Sequence, residues 1–474
     1  MEEMAGKYLQ ALVDRNLILV CKRSCSGKIR RCSMHQLLRD VCVRIASTHN
    51  FLHVVESGGC VTNERPYSTP RRLSIHPDAL HVKSTDKLWN SYHSVLSVLC
   101  IASQPVKNPI VIFSRFMFLL VLDVLQVHFV EFPRDIIKCF RLKYLALHYD
   151  GSLPRSISKL KYLQTIVHHF SFRNYCLLPM VIWDMPSLRH LYMKPGCYLS
   201  KPFRWPFPLS LPSLPFLQTL VGIRNFKWSK GIIGRIPNLK NLVISYDVSS
   251  SVYWPAYQHE TLAYQHRLES LKIIIKYNDD DDDDDVETAI SLDPPKLEFP
   301  ENLKKLCLKG CGVSSECMTS IGKLSNLTAL KLRCGAFSGP SWENVEGEFP
   351  ELAFLLLGDL RLTTWLTDEA PFPRLECLVI RLCHKLKEIP STIGEISTLE
   401  KIKLVEKKRE AGEMNLEAGG VFPGRMQLIS DVIQSTVCDI LLVVIVLAIV
   451  FRMFDLGTTQ TKHDSDSSRP WLMY

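Results

Sequence analysis

The sequence predicts an α/β leucine-rich-repeat solenoid, a horseshoe of stacked coils, preceded by a small helix–hairpin–helix head. Three observations point there. A repeat template is nearly complete at residues 375–390, LECLVIRLCHKLKEIP. Its leading leucine returns along most of the chain. The first fifty residues change from helical to strand and back to helical hydrophobic spacing.

The head comes first. Met4, Tyr8, Leu12 and Val13 keep a helical spacing, and the apolar run LILVCK follows as a strand. RSCSG is turn-like, and Ile29 to Cys32 returns as the partner strand. A second helix is expected from about His35 to Ala46, with Leu37, Leu38, Val41 and Cys42 on one face. Helix, hairpin and helix in that order suggest a winged helix over residues 1–60.

The repeats fill residues 61–405. In the template, apolar positions fall at Leu375, Leu378, Ile380, Cys383, Leu386 and Ile389. The L-x-L piece is one strand whose alternate side chains point inward, and Cys383 marks the turn of the coil. The anchor recurs at Leu96, Leu119, Leu142, Leu163, Leu188, Leu217, Leu239, Leu268, Leu303, Leu327, Leu352, Leu375 and Leu399. Successive gaps run from 21 to 29 residues except one of 35. That long gap holds NDDDDDDDVE at 278–287, whose unbroken aspartates repel one another and read as a looped-out insertion. A calcium loop needs its ligands alternated around a glycine turn, which this run lacks.

Stacked coils build a continuous concave strand face. Its solvent-side positions include Tyr144, Arg189, His190, Tyr192, Lys240, Asn241, Lys304, Lys305 and Glu376. These are large, varied and partly aromatic, as a protein-binding surface requires. A merely solvated face has the same pattern, so both readings stay open.

Chemistry of other kinds is sparse. The chain has 57 Lys and Arg against 48 Asp and Glu, and residues 1–75 carry twelve against six. Few aromatic residues, Tyr8, Phe51 and Tyr67, interleave with the charges of residues 1–75, so nucleic acid is not expected as a partner. The sixteen cysteines are scattered and, with no leader-like start, are read as reduced thiols. Cys21, Cys25, Cys32 and His35 lack the close spacing of a zinc knuckle, and no metal is expected. His168 and His169 read as solenoid surface rather than ligands. There is no Gly-x-Ser-x-Gly elbow and no His-Glu-x-x-His, so no enzyme is expected.

Residues 8–54, YLQALVDRNLILVCKRSCSGKIRRCSMHQLLRDVCVRIASTHNFLHV, resemble the winged-helix end of plant intracellular immune receptors. These are the coiled-coil, nucleotide-binding, leucine-rich-repeat type, in the branch of late-blight resistance proteins. RRLSIH at 71–76 resembles the entry to that family's repeats, and LPRSISKLKYLQTI at 153–166 its repeat style. The resemblance implies that His35, with Met34 beside it, occupies the place of a histidine that contacts the β-phosphate of ADP. Gln36 stands where the family has an acid. A phosphate cradle needs G-x-x-x-x-G-K-[ST], and Gly6-Lys7, Gly27-Lys28 and Gly322-Lys323 all lack it. No ADP or ATP is therefore expected as cofactor. The chain is expected to be the sensor part of a disease resistance protein. It would bind a pathogen effector, a guarded host protein or a full-length homologue in the cytoplasm.

Residues 406–431 read as a linker and 455–474 as a disordered tail. Between them, 432–454 centre on ILLVVIVLAIVF, long enough for a membrane helix only with Asp439 and Arg452 near its ends. This segment carries the alternative reading, a membrane-tethered leucine-rich-repeat signalling scaffold without nucleotide switching.

Overall fold

The computed structural model describes residues 2–23, 29–55, 70–75, 92, 94–100, 106–107, 113–170, 176–199, 213–226, 230–248, 259–277, 297–368 and 372–405. They fall into two compact units divided between His53 and Val54. The aspartate run, the linker, the apolar segment 432–454 and the tail lie outside the described residues. Among the described residues no helix is long and apolar enough to cross a membrane.

The first unit has its elements in the expected order. A helix, Glu2–Asp14, is followed by an antiparallel hairpin of Leu19–Arg23 and Ile29–Ser33, then a helix, Gln36–Thr48. Leu12 and Ile18 form its small core, with Tyr8, Leu9, Val13, Cys32 and Met34 against them. The second helix covers only the Leu38 and Cys42 half of the expected face. Cys42 and Ala46 are inside, whereas Leu37 is 71% and Val41 50% exposed. The apolar stripe at i and i+4 is present, and the covered line of Leu38, Cys42 and Ala46 runs along one edge of it.

The second unit is the solenoid. Fourteen described strands, from Arg72–Ile75 to Lys401–Val405, pair in parallel, each with the strand of the next coil. A parallel neighbour needs a crossover, and here each coil supplies it. The repeat sequence explains how. In LPRSISKLKYL, Pro154 opens a short 3-10 helix, Arg155–Lys159, where its missing N–H costs nothing. Ile157 N–H donates to the Pro154 carbonyl, Leu160 to Ile157 and Leu163 to Leu160. These turns carry the chain back to the next strand while Ile157, Leu160 and Leu163 point into the core. The same device recurs after Pro133 and Pro179, burying Ile136 and Ile182.

Leucine anchors from Leu119 to Leu375 are buried in one continuous core. Each full burial contributes about 1.5–3 kcal/mol against the entropy of ordering its coil. The first anchor is Val95, not Leu96: Val95 is fully buried, Leu96 half-buried, and Val98 pairs with Leu122. RRLSIH is one coil earlier still, its Leu73 and Ile75 inward.

Polar residues also enter the core. His168 holds the second inward position after Leu163 and is 0% exposed, so it is core and not surface. Its Nε2 donates to the Tyr149 carbonyl at 3.1 Å, the Tyr149 ring stacks on it at 4.5 Å, and Cys176 Sγ lies 3.9 Å from its Nδ1. Those partners make its burial tolerable.

Two coils add a second parallel pair, Ser341–Asn344 with Thr364–Thr367. Trp342 and Trp365 stack there with rings 5.4 Å apart, walled by Phe349 and Phe372. Trp365 Nε1 donates to Asn344 Oδ1 at 3.0 Å, which satisfies the polar end of one indole.

Candidate functional site

The strand face of the solenoid is the candidate interface. Strand register sorts its side chains into rows running across the coils. The first row contains Tyr144, Thr165, His190, Thr219, Asn241, Ser270, Lys305, Ala329, Phe354 and Cys377. The second contains Ala146, Val167, Tyr192, Val221, Val243, Lys272, Cys307, Lys331, Leu356 and Val379.

The expected contact residues divide accordingly. Tyr144, His190, Asn241 and Lys305 share the first row, and Tyr192 lies on the second. Arg189, Lys240, Lys304 and Glu376 each sit one residue before the first row, where backbone carbonyls of Arg189, Lys240, Lys304 and Glu376 accept bonds from the next coil. The nine are therefore neighbours on one surface, though not one cluster. His190 Nδ1 and Thr219 Oγ1 share a hydrogen bond at 3.1 Å. Glu269 sits between two lysines, 3.5 Å from Lys240 and 3.3 Å from Lys304.

Parts of the face are closed. Leu125, Ala146 and Val167 are buried, with Tyr144 and Tyr192 packed against them. Ala329, Phe354 and Leu356 form a second apolar cluster with Cys377 and Val379. Across adjacent parallel strands these side chains cover one another. Ala146 is thus not an accessible position.

What the sequence reading missed is a band of cations. The row one position beyond the second inward residue contains Lys309, Arg333 and Arg381, and the second row adds Lys272 and Lys331. With Lys305 they lie on four of five consecutive coils, Gly358 standing between Arg333 and Arg381. Lys331 Nζ lies 5.2 Å from the Phe354 ring. Burial pulls the Lys272 pKa below its ordinary value, and Arg333, Lys309 and Lys331 pull the same way. Burial, with Lys272 nearby, brings Lys194 down to about 8. Such crowding raises the energy of the free state and favours an anionic partner. Upstream, Arg224 is already matched: its Nη2 donates to Asp247 Oδ1 at 2.8 Å, and Tyr198 Oη donates to Asp247 Oδ2 at 3.1 Å. The signal in the sequence was a basic residue directly after three of the L-x-L pairs, Lys309, Arg333 and Arg381.

In the head, His35 is exposed and caps the second helix, its Nδ1 accepting from Leu37 N–H at 3.3 Å. Met34 packs on the small core, and Gln36 is exposed as the first helical residue. These are cap and packing roles.

A family model described as a leucine-rich repeat region matches residues 95–415. Late blight resistance protein R1-A of Solanum demissum is 30% identical over 421 residues, 85% of this chain and 31% of that protein. Disease resistance protein RPP8 of Arabidopsis thaliana is 28% identical over 463 residues, 92% of this chain and 49% of that protein. The chain thus spans about a third to a half of these relatives. Among solved structures, a leucine-rich-repeat protein of Leptospira interrogans aligns with TM-score 0.46 and 15% identity over 74% of this chain and 88% of that one. The functional domain of InlJ from Listeria monocytogenes gives 0.42 and 13% over 71% and 68%. With a coil ladder that runs through the matched region, the chain belongs to the leucine-rich-repeat family, and the resistance proteins it resembles are disease resistance proteins of plants.

Proposed function

We propose that this chain is the recognition part of a plant disease resistance protein, and that it takes an acidic protein surface on its concave strand face. The cationic band of Lys272, Lys305, Lys309, Lys331, Arg333 and Arg381 supports this reading. Parallel strands fix the backbone spacing of these groups, and their charges steer an oppositely charged partner. The partner is a pathogen effector, a guarded host protein or a full-length homologue in the cytoplasm. Binding does the work, with no catalysis and no bound nucleotide.

Co-precipitation with a full-length relative and with candidate effectors tests this. The complex should weaken as salt rises and disappear in a Lys309→Glu/Arg333→Glu double variant. A complex that survives both would refute the assignment of the acidic face.

A further inference from the structure

A different chemistry sits upstream of the cationic band. In the strand Val121–Phe129 the inward residues begin at Leu122 and Val124, a pattern that would also turn His128 inward. The ladder slips before that happens. Val124 pairs with Leu147, and the next pair is His128 with His148. The irregularity resets the alternation, so Val127 and Phe129 face the core and His128 comes out on the other side.

There it meets two partners from the adjacent coil. The rings of His128 and His148 are 4.6 Å apart. His128 Nε2 lies 3.0 Å from Asp150 Oδ2, with side-chain exposures of 18% and 24%. One ligand atom from each of His128, His148 and Asp150 lies within 4.8 Å of the others. The row continues to His169, whose ring is 6.4 Å from that of His148. His169 Nε2 is buried with no hydrogen-bond partner. An unsatisfied imidazole nitrogen beside this trio is a second sign of a polar site built for more than packing.

We propose that His128, His148 and Asp150 bind a first-row divalent metal ion, with zinc the ion that fits best. Two imidazoles exclude magnesium and calcium, which take oxygen, whereas two histidines and one carboxylate are a common zinc set. Around a tetrahedral ion with ~2.0 Å bonds the ligand atoms stand about 3.3 Å apart, so the trio needs only side-chain rotations to close. Because the ligands come from two neighbouring coils, the ion joins them and stabilises the ladder there. The sequence offered no such set, since His128 and Asp150 are 22 residues apart and only the slipped register unites them.

The full chain, stripped with EDTA, is titrated with cobalt(II) as a visible-absorbing probe and back-titrated with zinc. One equivalent should bind with nitrogen–oxygen character, be displaced by zinc, and raise the melting temperature. His148→Ala and Asp150→Asn should each weaken binding about tenfold or more, and His128→Gln/His148→Gln should abolish it. Cys21→Ala/His35→Ala should leave it unchanged. Circular dichroism reports whether each variant is folded, and the partly exposed Asp150→Asn suffices if His148→Ala is not. No bound cobalt, equal binding in the double variant, or thiolate-to-cobalt charge-transfer bands would each overturn the proposal.

Discussion

Gly222 offers a sharp test of the ladder. It is the extra residue between two register pairs, Val221 with Val243 and Ile223 with Ile244. By occupying the bulge it turns Ile223 into the core and Arg224 out to Asp247. Its φ is +82°, and an added Cβ would lie 1.8 Å from the Met193 carbonyl oxygen. Gly335 is the control: its φ is +66°, but an added Cβ there meets nothing within 4 Å. Both alanine substitutions carry the left-handed penalty of about 1–2 kcal/mol, offset by roughly 0.4–1 kcal/mol through the unfolded chain. Gly335→Ala should therefore cost between about 0 and 1.6 kcal/mol. Gly222→Ala adds overpacking of about 1–3 kcal/mol and the loss of ladder hydrogen bonds at about 1 kcal/mol each, for a total of about 3–5 kcal/mol. Urea melts followed by far-UV circular dichroism read both. Equal midpoints for the two variants would show that the bulge and its close backbone contact do not govern the coil.

Other consequences can be measured directly. Burial first, and Lys194 next, hold His169 down to about 3, and burial with His128 holds His148 down to about 4, from an ordinary 6.5. Below 6.5 the unfolded chain takes up protons that the fold refuses, so stability should fall as pH drops from 6.5 toward 4. The limit is about 1.4 kcal/mol per pH unit for each histidine; melts of EDTA-treated protein check it, and a flat profile contradicts the burial. Trp365→Ala removes one face of the indole stack and should cost roughly 3–5 kcal/mol, seen as a lower urea midpoint and altered tryptophan emission. Isothermal titration with ADP should show no binding heat, since no Gly-Lys pair has the cradle; micromolar affinity would reopen the role of His35.

The coil repeat was legible because its signal is redundant. Each anchor leucine from Leu119 to Leu375 is buried by neighbours that obey the same rule, so one misread position does little harm. Leu96 was taken for Val95 because both are apolar, and only pairing distinguishes adjacent residues. His168 was misplaced for another reason. A polar side chain in an L-x-L slot reads as surface unless Tyr149 and Cys176 can be foreseen as its partners. The helix face of Leu37 and Val41 shows the limit of spacing, which gives the stripe but not the side that is covered. The interface was half legible. Tyr144, His190, Asn241 and Lys305 follow from alternation alone. The cationic band depends on register across five coils, and the histidine–aspartate trio on a slip that no local pattern announces.

The last described strand differs from its predecessors. Ile402 and Leu404 occupy the inward row, yet they are 46% and 61% exposed, where Leu378 and Ile380 one coil earlier are closed off. In a stack held by nearest neighbours, such a coil is the weakest link. Under tension the spring should pay out turn by turn from that end, a staircase of small force drops in place of one rupture.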